Sequence, residues 1–127
     1  MPVDIHYEAD EHLIVGTWTN PVSHKDFAQA FKIAEGAYKE TTSIVHTIYD
    51  ASTLTQMPAN SISIYLRDPN SPLRHKMAGL FVVVAANAFI RAIVETAGKV
   101  SRNPRVHVAT SLEEAREMVK QATGSST

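Results

Sequence analysis

Residues 80–84 read Leu-Phe-Val-Val-Val and lie inside a near-continuous apolar run, residues 77–85. A strand this apolar is typical of the centre of a parallel sheet, where helices cover both faces. Asn87 follows the run and is a favourable helix N-cap residue. Beyond it, apolar side chains repeat at helical spacing, at Ile90, Ile93, Val94 and Ala97. A buried strand that leads at once into an amphipathic helix predicts a βα unit, and so an α/β fold.

The rest of the chain continues this alternation of strand and helix patterns. Residues 61–64 alternate like a strand but also fit a short helix capped by Asn60, and we favour the helix. The resulting order is β-β-α-β-α-β-α-β-α, a mixed, mostly parallel sheet with an N-terminal antiparallel hairpin and helices packed on the sheet. The predicted elements are strands at 5–8, 12–19, 44–50, 77–85 and 106–109, and helices that begin after Ser23, Asn60, Asn87 and Ser111.

Length and charge place the chain in a broad class. Its 127 residues predict one domain, with an ordered core at about 3–122 and a tail at 123–127. The net charge of −1 argues against nucleic acid as a partner. The longest apolar run is about half the ~20 residues that a membrane span requires, so we expect none. Residues 1–4 do not resemble a signal peptide, which predicts a cytoplasmic location.

Three residues on predicted strands are candidates for catalysis. Asp50 ends a strand at the edge where parallel sheets bind ligands, although its carboxylate also suits a cap for the next loop. His46 and His107 could form a metal pair, or one of them could be an acid–base residue. We favour a third interpretation, in which they are two hydrogen-bonded strand histidines. No further metal ligands accompany them and the chain has no cysteine, so we predict no metal and no cofactor.

The turn at residues 85–87 leads from a strand to a helix N-terminus, which is a place where anions bind. It contains no glycine, so it matches neither phosphate-binding fingerprint. Basic residues follow on this half of the chain, at Arg91, Lys99, Arg102 and Arg105. We interpret them as a solvated helix face in preference to an anion site.

Two short segments that begin at Asp50 resemble motifs of a known family. The Asp-Ala-Ser of residues 50–52, followed by Met-Pro-Ala-Asn-Ser at residues 57–61, is similar to the D-x-S and M-D-S-S-G segments of the STAS domain. Element order over residues 5–122 and Ser-Leu-Glu-Glu-Ala at 111–115 most resemble its SpoIIAA-like (STAS/SEC14-like) branch of small bacterial proteins. The resemblance implies a non-enzymatic regulatory module that binds a protein partner through residues 50–66. The implied contact residues are Asp50, Ser52, Met57, Asn60 and Ser61.

In the family's anti-sigma antagonists a loop serine accepts a phosphate that controls partner binding. That position aligns with Asn60 here, which cannot accept phosphate, so Ser61 or Ser52 is the candidate for phosphorylation. Lipid-binding relatives of the broader fold group imply an alternative, a carrier of a small apolar ligand. Its expected lining is Phe27, Phe31, Met57, Ile62, Ile64, Tyr65 and Phe89. An enzyme that uses Asp50, His46 or His107 is the least favoured function.

The opening hairpin could also mediate assembly of the protein. Its exposed edge offers main-chain hydrogen-bonding groups to a second copy of the chain. A homodimer is therefore an expected assembly.

Overall fold

Five strands form one mixed sheet, and they lie side by side in the order in which they occur in the chain. The computed structural model describes residues 3–124, and its element order confirms the predicted α/β fold. The strands are β1 Val3–Glu8, β2 Leu13–Trp18, β3 Val45–Asp50, β4 Ala78–Val84 and β5 Val106–Ala109. The helices are α1 His24–Glu40, α2 Ser61–Arg67, α3 Ala88–Ser101 and α4 Leu112–Gly124.

Different helices pack on the two faces of the sheet. β1 and β2 are antiparallel, and every later pair is parallel. α1, α2 and α3 contribute side chains to the same core cluster and so lie on one face, here called the three-helix face. This is the arrangement expected when right-handed parallel crossovers each move one strand in the same direction. α4 packs on the other face.

The central strand β4 is buried from both sides, as the apolar run predicts. Phe81 and Val83 pack into the core of the three-helix face, whereas Val82 and Val84 pack against α4. Each of these four side chains is at most 5% exposed. An uninterrupted apolar run is therefore what this position in the sheet requires.

The predicted N-caps of α1, α3 and α4 are confirmed by hydrogen bonds. The Asp26 carboxylate accepts from the Ser23 N–H at 2.7 Å, which closes the first turn of α1. Asn87 Oδ1 accepts from the Phe89 N–H at 2.9 Å. Ser111 Oγ accepts from the N–H of the third residue of α4 at 3.0 Å. These polar side chains fix where the helices begin.

The helix prediction for α2 is right, but its predicted cap is wrong. Asn60 adopts a left-handed backbone with φ 66°, and its side chain caps no amide of α2. Asparagine tolerates this conformation better than most residues, which suits it to the turn rather than to capping. The hydroxyl of Ser61 instead donates to the Pro58 carbonyl and so ties the loop to the helix.

The end of the chain differs slightly from the expected tail. α4 continues to Gly124, so Thr123 and Gly124 belong to the helix rather than to the tail. Residues 125–127, also assigned to the tail, lie outside the described residues. Within residues 3–124, no helix has both the length and the apolar character needed to cross a bilayer.

Candidate functional site

An apolar pocket of about 70 Å³ lies between the three-helix face of the sheet, α2 and α3. Its exposed wall consists of apolar atoms, so it presents no polar group to an occupant. We call this space the apolar pocket. Its floor and helical walls are formed by Trp18, Phe27, Tyr49, Phe81, Val83, Ile90, Ile93, Val94 and Ala97, and the remaining side by Ala51, Leu54, Met57, Ser61, Ile62, Tyr65 and Leu73.

The segment that the sequence marks as a binding surface, residues 50–66, covers one side of the apolar pocket. Hydrogen bonds with Asn20 and His24 hold this segment in place. Asn20 Nδ2 donates to Thr55 Oγ1 at 3.1 Å, and His24 Nε2 lies 2.9 Å from the Ala59 carbonyl oxygen. The β2–α1 connection and the first residue of α1 therefore position the loop that precedes α2.

Tyr65 anchors α2 to the sheet. Its ring packs edge-on against Phe27 and Phe31, with ring centroids 5.2 Å and 4.8 Å away. Its hydroxyl donates to the Tyr49 hydroxyl at 3.0 Å. Burial raises the pKa of both tyrosines, so the pair stays neutral at physiological pH. This wall offers shape and apolar surface but no charge.

A shallow groove between α2 and α3 adjoins the apolar pocket and shares Met57, Ser61, Ile62 and Ile93 with it. Phe89 stands beside this groove with 57% of its surface exposed. We call the groove the mouth. Among the residues described, Arg67 alone brings a charge to the lining of either the pocket or the mouth.

The structure brings some of the predicted contact residues together and separates others. Met57 and Ser61 line both the pocket and the mouth, and Asn60 lines the mouth. Asp50 and Ser52 lie outside both linings. Asp50 Oδ1 accepts from the Ser52 N–H at 3.1 Å, so this carboxylate does cap the following loop.

The two candidate phosphorylation sites differ in access. Ser61 is only 7% exposed, and its hydroxyl is engaged by the Pro58 carbonyl. Ser52 is exposed on the loop after β3. A kinase would reach Ser52 directly, whereas Ser61 requires the first turn of α2 to open.

The residues predicted to line a carrier pocket lie mainly around this site. Phe27, Met57, Ile62 and Tyr65 line the pocket and Phe89 lines the mouth, whereas Phe31 and Ile64 line neither. The sequence indicated the α3 stripe of Ile90 and Ile93 only as core. The spacing of apolar residues on a helix is the same whether their side chains border a pocket or fill a close-packed core.

The geometry disfavours a catalytic site built from Asp50, His46 and His107. Asp50 and His46 are four residues apart on one strand, a separation of about 13 Å. β4 lies between the strands of His46 and His107. No group of three metal-ligating side chains occurs within residues 3–124. The three candidates therefore form no common site.

His46 instead completes the main-chain hydrogen bonding of the sheet. The pairing of β3 with β4 is irregular between Val45 and Thr47. His46 Nδ1 accepts the Leu80 N–H there at 2.8 Å. Burial, with a further contribution from His12, lowers the pKa of His46 from its usual value of 6.5. The folded protein therefore favours the neutral imidazole of His46, whose Nδ1 can accept this hydrogen bond.

His75 has a similar arrangement near the start of β4. Its Nδ1 accepts from the Met77 N–H at 3.0 Å, and its ring stacks on Tyr38 with a centroid distance of 3.9 Å. Burial, and then the neighbouring charge of Lys76, lower the pKa of His75 from 6.5.

We expect the free energy of unfolding to fall as the pH drops below about 6.5. The unfolded chain then binds protons at His46 and His75 that the folded chain excludes, until the pH passes below the lowered folded-state values. Glu8, whose pKa the Arg116 hydrogen bond lowers to about 2, retains its charge throughout this range. Urea unfolding at about pH 7 and pH 5.5 measures the loss.

His46→Asn is the matched variant for this pH experiment, because its amide oxygen lies at about the position of Nδ1 and can accept the same N–H without titrating. It should lose less stability on acidification than the wild type. An equal loss in both proteins would show that His46 is not responsible.

The turn at residues 85–87 offers few free amides for the anion site that we considered and did not favour. Asn87 Oδ1 already accepts the N–H groups of Phe89 and Ile90, at 2.9 Å and 3.2 Å. Two of the amides that would hold an anion, those of Phe89 and Ile90, are therefore already paired.

Comparisons with protein-family models, with curated proteins and with solved structures found no match to this chain. The class of protein is accordingly defined by the fold and the site. It is an α/β domain in which the loop after β3, together with α2, covers one side of an apolar pocket.

Proposed function

We propose that this chain is a non-enzymatic binding module of the STAS-like type, and that its ligand places an apolar group in the pocket. The observation that supports this most directly is the wholly apolar wall of the pocket, one side of which is segment 50–66. The neutral, mutually bonded Tyr49–Tyr65 pair gives that wall no acid–base function. Binding of a hydrocarbon group is what such a surface favours.

The size and charge of the site narrow the ligand class. An engineered apolar cavity of about 150 Å³ accepts benzene, and this pocket is about half that volume. It therefore takes the end of a hydrocarbon chain, while the rest of the ligand occupies the mouth. Arg67 at the mouth favours an anionic polar end over a cationic one.

Trp18 provides a direct readout, because it lines the pocket and is the one tryptophan of the chain. We expect decanoate to change Trp18 fluorescence saturably and to bind more tightly than decyltrimethylammonium. Arg67→Gln should reduce the difference between the two. The absence of any saturable change with decanoate, decanol or the cation would refute the proposal.

Ala97→Leu should abolish ligand binding while the protein stays folded. Ala97 lines the pocket, so three added carbon atoms fill much of its volume. Filling a cavity typically changes stability by about 2 kcal/mol or less. The control is Ala92→Leu, an exposed position on the same helix, which should bind normally. Unaltered binding to Ala97→Leu would place the ligand elsewhere.

A second candidate function is the binding of a protein partner that inserts an apolar side chain into the same site. The exposed ring of Phe89 beside the mouth favours this alternative. Phe89→Glu and Ala97→Leu should both release such a partner, whereas Ala92→Leu should retain it. Phosphopeptide mapping after incubation with host kinases tests whether Ser52 or Ser61 controls the interaction.

Two further properties belong to this proposal. We keep a homodimer paired through the opening hairpin and a cytoplasmic location as predictions. Light scattering over a range of concentrations measures the first, and cell fractionation measures the second.

A further inference from the structure

β5 forms one edge of the sheet, next to β4 on one side only. The Phe81 N–H donates to the Arg105 carbonyl at 2.9 Å, and the Ala85 N–H donates to the Ala109 carbonyl at 3.2 Å. In a parallel ladder with this register, residues 105, 107 and 109 point their main chain at β4, and Val106 and Val108 point theirs outward.

These outward groups are available for pairing. The Val106 N–H makes a long contact of 3.4 Å with the Asn103 carbonyl. Within residues 3–124, the Val106 carbonyl and both main-chain groups of Val108 have no hydrogen-bond partner. An edge strand with such groups is a template for another strand.

A basic groove runs along this edge between α3 and β5. Gly98 lies in its lining and lets α3 approach β5 closely, since a Cβ there would lie 3.2 Å from the Val106 Cβ. The groove is lined by three cationic side chains, Arg91, Lys99 and Arg102, and by one carboxylate, Glu95. In the described part of the chain, none of these three cations forms an ion pair.

We propose that β5 and the basic groove bind an extended acidic peptide segment of a partner protein by strand addition. The peptide main chain pairs with Val106 and Val108, and its carboxylates face the cations of α3. Charge selects this occupant, because among the described residues three cations without an ion pair line the groove beside the open strand against a single carboxylate, that of Glu95. The inference is independent of the apolar pocket.

The test uses the full chain and a short acetylated peptide in which valine alternates with glutamate. We expect saturable binding that weakens as salt rises, together with slower hydrogen exchange of the Val108 amide. A peptide with lysine in place of glutamate, and the glutamate peptide N-methylated on alternate residues, should both fail to bind. Binding of either control peptide with equal affinity would overturn the proposal, as would the absence of binding.

Matched variants separate the groove from general charge. Arg91→Gln combined with Lys99→Gln should weaken binding about fivefold, since it removes two surface ion pairs. Lys25→Gln combined with Lys32→Gln makes the same charge change on exposed positions of α1 and should leave the affinity unchanged. Equal effects of the two pairs would overturn the proposal. Concentration-dependent dimerisation that protects Val108 without peptide would do so as well, because it would assign the edge to a second copy.

Discussion

We expect Gly79→Ala to lower the free energy of unfolding by about 3–5 kcal/mol, the range for severe overpacking together with a lost buried hydrogen bond. A Cβ at position 79 would lie 2.5 Å from His46 Cε1 and 2.6 Å from Ile44 Cγ2. The Ile44 side chain is 46% exposed and can move aside. The His46 ring cannot move without releasing the Leu80 N–H. Urea unfolding followed by circular dichroism measures the loss.

A double-mutant cycle tests the cause of this effect. His46→Ala alone leaves the Leu80 N–H unpaired and costs about 1–3 kcal/mol. If the clash with the ring is the cause, Gly79→Ala costs at least about 1 kcal/mol less in the His46→Ala background. Additive losses would instead assign the requirement for glycine to the backbone.

Tyr65→Ala is the second change with a large expected effect. It removes a buried ring that contacts Phe27 and Phe31 and that holds α2 on the sheet, so we expect a loss of about 3–5 kcal/mol. The same change enlarges the apolar pocket. If the variant remains folded in the cold, it should bind bulkier hydrocarbon ligands than the wild type, as read by Trp18 fluorescence.

Tyr65→Phe is the control for this second prediction, because it keeps the ring and removes only the hydroxyl. We expect a loss of about 1 kcal/mol for the hydrogen bond to Tyr49. A loss as large as that of Tyr65→Ala would mean that the hydroxyl pair, and not ring packing, holds α2. Unchanged stability in Tyr65→Ala would show that α2 is not anchored in this way.

The order of the elements could be predicted from the sequence because each helix carries its own local signal. The cap at Asn87 and the apolar run before it depend on neighbouring residues only, and both are found where expected. The side chain of Asn60 illustrates the limit of such signals. Asparagine is suited both to capping a helix and to a positive φ. The path of the loop in the folded protein requires the positive φ at this position.

The site could be predicted less well, because it depends on contacts between distant segments. The pocket combines Trp18 on β2, Leu54 in a loop and Ala97 on α3, and no sequence pattern relates these residues. The role of His46 likewise requires the irregular pairing of β3 with β4. Residue type indicated only that a strand histidine was more consistent with a hydrogen-bonded role than with catalysis.

The sheet order, in which every strand lies beside its predecessor in the chain, has a consequence for how the protein is made. Each strand after β1 has its docking edge already present when it leaves the ribosome, so none of these four must wait for a later strand to be synthesised. The loops that must close are single crossovers, whose entropic cost grows only slowly with length. We therefore expect folding to proceed from the N-terminal hairpin outward, with β5 and α4 completing the domain last.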